Sequence, residues 1–241
     1  MRKSLFLAIA LLAGASAAAF GDDFEGRAPA LRSATQVEWN WDGGSYAAIA
    51  VPATVHYQAS GSPRIIVKGP ADLVERVRFQ DGELRLKERL FNNWNWNKNS
   101  ERLDVTLIGM TLTKIGLAGK VDMDMGEIHQ SELALSIAGS GSFQAHGNAD
   151  ALVLRVAGSG DYHLDKLAAR DVQVQIAGSG RIEAASPQSA RVKIVGSGQV
   201  HFVAMPKDIN TNIIGSGKIS DASGQVIDKH FGSEHRKHKW G

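Results

Sequence analysis

Two imidazoles and a carboxylate, spaced one repeat apart, are the first residues of this chain that could do chemistry. His163, Glu183 and His201 each stand third after a glycine that closes a Gly-Ser-Gly tripeptide. On stacked strands they would form one outward column with Asp122, Gln144 and Ser220. Two histidines and a glutamate are a zinc ligand set. The same column also reads as a polar cross-strand ladder with favourable charge contacts, which is the simpler reading. The neighbouring column runs Lys120, Ser142, Asp161, Arg181, Gln199, Lys218. Asp161 beside Arg181 would make an exposed ion pair, worth about 0.2–1 kcal/mol. Asp161 and Glu183 are the nearest candidates for glycosidase chemistry, which takes two carboxylates about 5–10 Å apart across a cleft. They would share a flat face, and no lid is signalled. A catalytic serine would be singular, whereas every Gly-Ser-Gly serine recurs. The expectation is a protein that is not an enzyme and has no cofactor.

The tryptophans offer a different chemistry. Trp39-Asn40-Trp41 and Trp94-Asn95-Trp96 repeat one tripeptide, and four of the 5 tryptophans sit there. Flat rings beside side-chain amides suit stacking and hydrogen bonding of sugar rings. These four tryptophans are therefore candidate binding residues, and the alternative function is a glycan-binding or glycan-active protein using the Trp94/Trp96 region. The competing reading is that the two segments pack together and cap the core.

Composition removes several classes. With no cysteine there are no disulfides, no thiolate metal sites, no cysteine nucleophile and no thiol for a bacterial lipid anchor. There is no P-loop and no G-x-G-x-x-G, and alternating strand rather than helix follows each Gly-Ser-Gly. The chain carries 27 Lys+Arg and 25 Asp+Glu. Without residues 1–19 and 229–241, which hold six basic residues and one acidic, the body is net −3. That balance does not support a nucleic-acid face. The expected partner is an envelope protein or a glycan, its identity unknown.

What must position these residues is a repeat. Gly-Ser-Gly occurs at Gly139-Ser140-Gly141, Gly158-Ser159-Gly160, Gly178-Ser179-Gly180, Gly196-Ser197-Gly198 and Gly215-Ser216-Gly217. Leu117-Ala118-Gly119 reads as a degenerate first copy, and the closing glycines then step by 22, 19, 20, 18 and 19 residues. Apolar residues alternate before each copy, as in Leu152, Leu154, Val156 or Val172, Val174, Ile176, and resume after it, as in Tyr162 or Ile182. A period of two places them on one face of a strand. Each unit is then strand, glycine corner, strand and polar connection. Stacking buries the apolar column and pairs successive coils as parallel strands about 4.8 Å apart. Aligned serines would form a hydroxyl ladder. The expected fold is all-β: a right-handed parallel β-helix-like solenoid of about 20-residue coils with Gly-Ser-Gly corners. Gly-Ser is also a II′ turn dipeptide, so antiparallel hairpins around a barrel stay open as the alternative.

The ends differ from the body. Arg2 and Lys3, the apolar run Leu5–Ala13 and small residues at 15–19 read as a secretory signal over 1–19, cleaved after Ala17 or Ala19. No other segment has the roughly 18 apolar residues of a membrane helix. A periplasmic or secreted bacterial protein without a lipid anchor is expected. Residues 20–44 form an N-terminal segment and 45–228 the solenoid domain, with regular repeats at about 115–220. Residues 229–241 form a basic tail with His230, His235 and His238. Asp81-Gly82 between Val77-Arg78-Phe79 and Leu84-Arg85-Leu86 predicts a hairpin, and Pro70 to Glu75 a short helical turn. N-terminal β strands would cap the first coil, and Ser220–Gln225 would serve as a polar cap at the other end.

The secretory signal, the stretch Ile49–Tyr57 and the serial Gly-Ser-Gly corners resemble the bacterial family called "putative auto-transporter adhesin, head GIN domain". The resemblance covers roughly 45–220. Arg64–Lys68, Gly69-Pro70, Asp81–Leu86 and Leu103–Leu107 stand in the family's order. It implies a mostly parallel, β-helix-like fold and supplies no activity or catalytic residue. No set of about ten-residue amphipathic strands follows that would build an outer-membrane barrel.

Overall fold

The computed structural model describes residues 26–41, 44–87 and 101–227. The expected signal segment, Trp94, Trp96 and the histidine-bearing tail lie outside them. An N-terminal layer comprises β1 (Leu31–Arg32), β2 (Gln36–Asn40), β3 (Tyr46–Ala50), β4 (Ala53–Gln58), β5 (Arg64–Lys68), helix α1 (Ala71–Arg76), β6 (Val77–Gln80), β7 (Glu83–Leu86) and β8 (Leu103–Ile108). The repeats follow as β9 (Lys114–Gly119), β10 (Val121–Gly139), β11 (Ser142–Gly158), β12 (Asp161–Leu164), β13 (Leu167–Gly178), β14 (Arg181–Ala184), β15 (Ser189–Gly196), β16 (Gln199–Phe202), β17 (Asp208–Gly215), β18 (Lys218–Asp221) and β19 (Val226–Ile227).

Two parallel ladders carry the repeats, with about five turns and coils about 20 residues apart. The first ladder stacks β9, the second half of β10, the second half of β11, β13, β15 and β17. The second stacks the opening residues of β10 and β11, then β12, β14, β16 and β18. All these pairings are parallel, which removes the hairpin-barrel alternative.

The corner between the ladders uses its two glycines for different reasons. Gly178, the first of its corner, has φ +129, and a Cβ there would lie 2.3 Å from the carbonyl oxygen of Gly158. Gly180, the second, lies outside the left-handed region, but its Cβ would sit 2.6 Å from Cγ1 of Val156. The last inward side chain of one coil therefore fills the space left by the closing glycine of the next. Only glycine meets the first condition without strain and the second without a clash. The corner serines are exposed, and their backbone N–H groups carry the stacking: Ser159 donates to Gly139 O, Ser179 to Gly158 O and Ser197 to Gly178 O. Among the described residues no hydroxyl ladder links them; the backbone does the linking that the side chains were expected to share.

One register differs from expectation. Gly119 pairs with Gly139, the opening glycine, not with Gly141. The first corner is therefore Gly119-Lys120-Val121, and the apparent 22-residue step is an ordinary one of 20. Every position of the first coil moves by two. Met123 rather than Val121 lies beside Phe143, and Asp124 rather than Asp122 beside Gln144.

The core is one continuous column. Leu135, Leu154, Val174 and Val192 follow each other across the first ladder, all at most 3% exposed. Phe143, Tyr162, Ile182, Val200 and Ile219 line the second. Fully burying such a side chain contributes about 1.5–3 kcal/mol. Tyr162 is completely buried and satisfies its hydroxyl by donating to the Arg155 carbonyl at 3.0 Å.

The N-terminal strands cap the first coil more intimately than their sequence suggested. β3 and β4 pair in parallel with β9 and the start of β10, so residues 46–58 form a further coil with Val51-Pro52 as its corner. Beyond it the polarity changes: β2, β5 and β8 pair antiparallel, and β8 joins β4 in parallel. The hairpin at Asp81-Gly82 is present, with φ 51 and 80 at its two turn residues, as a type I′ turn needs. Helix α1 buries Leu73 and Val74 in the same core. At the other end β19 pairs antiparallel with β18 and covers its edge. Asp221 anchors that closure, accepting from the backbone N–H groups of Met205, Ser223 and Gln225 and from the Ser223 hydroxyl.

Candidate functional site

The outward face of the second ladder collects the polar residues singled out by the repeat. Strand alternation turns Tyr162, Ile182 and Val200 inward, so their neighbours at odd offsets must face solvent. With the register corrected, one column reads Asp124, Gln144, His163, Glu183, His201, Ser220. The next reads Asp122, Ser142, Asp161, Arg181, Gln199, Lys218.

Pairs, not triads, organise the first column. Gln144 donates to Asp124 Oδ2 at 2.7 Å. His163 Nδ1 donates to Glu183 Oε2 at 2.9 Å, and His201 Nδ1 meets Ser220 Oγ at 3.1 Å. His163, Glu183 and His201 are thus neighbours on three rungs, but His201 turns to Ser220 and leaves Glu183 to His163. Among the described residues no group of three or more His, Asp or Glu side chains is placed to hold a metal ion.

Acids of the second column are held by other partners than expected. Asp122 accepts from Arg102 at 2.5 Å and from the Ser142 hydroxyl at 2.6 Å. Partial burial pushes the Asp122 carboxyl up, but the Ser142 hydroxyl and the Arg102 guanidinium together hold it below the usual range. Arg102 lies outside the repeat, so no periodicity could have marked it. Asp161 lies beside Arg181 in register, yet no ion pair joins them within 4 Å. Asp161 and Glu183 sit on adjacent rungs of one face, not across a cleft. A half-open depression of about 300 Å³ lies over the C-terminal rungs, lined by Arg181, Glu183, Gln199, His201, Lys218 and Ser220 with Val200 at its floor.

The described tryptophans belong to the cap. Trp39 is 1% exposed, and its indole N–H donates to the Arg27 carbonyl at 3.0 Å. Trp41 is half-buried and donates to the Gly44 carbonyl. Both rings pack on Phe79, at centroid distances of 5.8 and 5.4 Å. Trp39 therefore offers no ring face to a ligand, which corrects its candidacy as a binding residue. β2 alternates, and Trp39 falls on its inward side with Val37.

A second polar constellation escaped the sequence altogether. Glu83 opens β7, is 6% exposed and is paired with Arg85. Burial raises its carboxyl pKa above the ordinary value, with the Arg85 charge opposing. Burial, then the Glu83 charge, pushes the Tyr46 phenol up to about 12. Both groups sit at the junction of the cap and the solenoid, where β3 pairs with β7.

Comparison with known proteins adds the family. The sequence pattern described as "Putative auto-transporter adhesin, head GIN domain" matches residues 45–206. A solved structure of a "putative adhesin" from Bacteroides fragilis NCTC 9343 is 18% identical, covering 77% of this chain and 95% of that one, with a TM-score of 0.56. A "putative lipid binding protein" from Parabacteroides distasonis ATCC 8503 is 18% identical, covering 78% and 96%, with a TM-score of 0.45. No curated protein matches the sequence.

Proposed function

The chain belongs to the putative auto-transporter adhesin, head GIN domain family, and from that premise we propose that it is an exported, non-catalytic β-solenoid that binds a partner in the bacterial envelope or outside the cell. The observation that carries the reading is the outward face of the second ladder. Side chains there are spaced in register by parallel backbone pairing, and an open depression lies over the C-terminal rungs. Chemistry on a bound substrate needs water excluded around convergent groups. A flat grid on a pre-ordered backbone instead suits recognition of an extended partner, because no backbone ordering is left to pay on binding. The signal-like residues 1–19 support export to the periplasm or beyond. No helix among the described residues is long and apolar enough to cross a membrane.

Attachment of protein-coated beads to envelope fractions and to whole cells tests the binding. Replacing Gln144, His163, Glu183 and His201 together by alanine should abolish attachment. Replacing Arg155, Gln175 and Lys193, the outward column of the first ladder, should leave it intact. Beads that never attach, or that attach equally through both variants, would sink the reading. The alternative site is separated by Trp94→Ala with Trp96→Ala, which leaves attachment unchanged if the ladder face is the binding surface. Sequencing the N-terminus of the mature protein checks export: residue 18 or residue 20 should come first.

A further inference from the structure

We propose that Arg181, Gln199 and Lys218 form a binding site for the acidic groups of a linear polysaccharide, an inference that rests on the binding role of the same face. The three residues occupy successive rungs of one column on β14, β16 and β18. Rungs about 4.8 Å apart place the two cations roughly 10 Å from each other, with the Gln199 amide between them. Both cationic side chains are long enough to close on an oxyanion seated over Gln199. His201 stands in the next column, its Nδ1 engaged by Ser220 and its Nε2 without a partner among the described residues.

Charge is the argument for an anion. Of the carboxylates of this face, Asp122 is offset by the Arg102 cation, Asp124 is hydrogen-bonded by Gln144 and the Gly126 N–H three rungs before Arg181, and Glu183, whose charge stays beside the site, is turned to His163. Asp221, at the end of β18, is enclosed by the N–H groups of its own turn. Asp161 alone is left, one rung before Arg181. Among the described residues neither the Arg181 nor the Lys218 side chain has a hydrogen-bond or ion-pair partner. The half-open depression lies over these same rungs. Two cations and an amide on a flat, open strip can follow a linear polymer whose carboxylates or sulfates recur along it. They are too few for an anionic membrane surface, where docking takes clusters of about 4–8 basic residues.

Binding of the full mature chain to polygalacturonate and to a sulfated polysaccharide, by calorimetry at low salt, tests the site. Inorganic phosphate and phosphatidylglycerol vesicles serve as the other arms. Arg181→Gln with Lys218→Gln should weaken polysaccharide binding by about tenfold or more, and Gln199→Glu, which adds a carboxylate between the cations, should weaken it comparably. Lys193→Gln, on the other ladder, should not. All these side chains are exposed, so unchanged circular dichroism is expected throughout. Equal affinity in every variant, an equal loss from Lys193→Gln, or binding confined to vesicles or to free phosphate would overturn the proposal. If beads still attach to cells while polysaccharide binding ignores Arg181 and Lys218, the anion site falls and the adhesive role stands.

Discussion

Gly178→Ala isolates the force that shapes every corner. The substitution adds one methyl group at φ +129, with a carbonyl oxygen 2.3 Å from its ideal position. Backbone strain in such a region is worth about 1–3 kcal/mol. Forcing an extra methyl into a filled space adds about 1–3 kcal/mol. Reduced freedom of the unfolded chain returns about 0.4–1 kcal/mol. The net expected loss is about 1–5.5 kcal/mol. Two other glycines separate the terms. Gly224 has φ +86 and nothing within 4 Å of an added Cβ, so Gly224→Ala carries strain alone and should cost about 0.5–2 kcal/mol. Gly180 is outside the left-handed region but meets Val156 at 2.6 Å and the Gly160 carbonyl oxygen at 2.7 Å, so Gly180→Ala carries crowding without strain and, with the same return from the unfolded chain, should cost about 0–2.5 kcal/mol. Urea unfolding followed by far-ultraviolet circular dichroism measures all three, with the slope as well as the midpoint recorded. A stacked repeat can lose its terminal coils first, and a smaller slope for Gly178→Ala would report that. If Gly178→Ala destabilises no more than Gly224→Ala, close approach of successive coils is not what selects glycine, and the account of the corner is wrong.

Other outcomes follow from the same layering. Leu154→Ala, at a fully buried position, should cost about 2–5 kcal/mol, while Gln175→Ala on the outward face stays within about 0.5 kcal/mol; urea midpoints compare them. All 3 tyrosines have raised pKa values, chiefly through burial. Tyrosinate absorbance should therefore lag behind a free phenol's in the native protein and rise near pH 10 after unfolding. Since the unfolded chain gives up these protons first, stability falls as pH climbs past about 10, and native absorbance rising at a free phenol's pH would contradict the burial. Asp221 is held below the ordinary carboxylate range, first by the Ser223 hydroxyl and then by backbone N–H groups. Its contribution is present above about pH 4 and fades as pH falls through the lowered native value; Asp221→Asn should remove that part of the acid sensitivity in pH-dependent urea midpoints.

Sequence periodicity revealed the solenoid because its two constraints are both local. A period of two turns Leu154 and Tyr162 inward, and a glycine pair marks each corner, so strand, turn and repeat length can be read directly. Parallel pairing follows once the units stack. The first coil misled because Gly119 matches either glycine of a corner, and only the ladder decides which. Residues 46–58 were missed as a coil because Val51-Pro52 makes the same bend without glycine. Trp39 looked like a ligand platform because tryptophan beside asparagine has the same spelling inside a core and on a surface. Its inward place depends on β2 pairing with β5, a contact between residues from 24 (Asn40 with Arg64) to 32 (Gln36 with Lys68) apart in the chain, and alternation alone leaves open which side is buried. Arg102 carried no signal, since it meets Asp122 across the junction of cap and solenoid; Glu83 pairs with Arg85 on its own strand, and what the sequence did not show is its burial where β3 pairs with β7.

The same geometry explains why fold was easier to read than role. In a stacked coil every inward residue touches the coils above and below, so its size is fixed by neighbours a repeat away. An outward residue meets only water and its column neighbours, at an energy of a few tenths of a kcal/mol per pair. Stability therefore constrains Ile176 strongly and Gln175 hardly at all, although they are adjacent. The outward columns are then free to change with the partner, and their departures from a simple alternating-charge ladder become the informative feature. His163 with Glu183 satisfies such a ladder; Arg181 and Lys218, two rungs apart and without partners among the described residues, do not. If the face were only a solvated wall, replacing Gln199 by glutamate would improve it, by putting a carboxylate between two cations and completing the alternation. A gain in urea midpoint for Gln199→Glu together with a loss of polysaccharide binding is the pair of results expected of a column kept uncompensated for a ligand. A gain in stability with no change in binding would mark it as an ordinary surface.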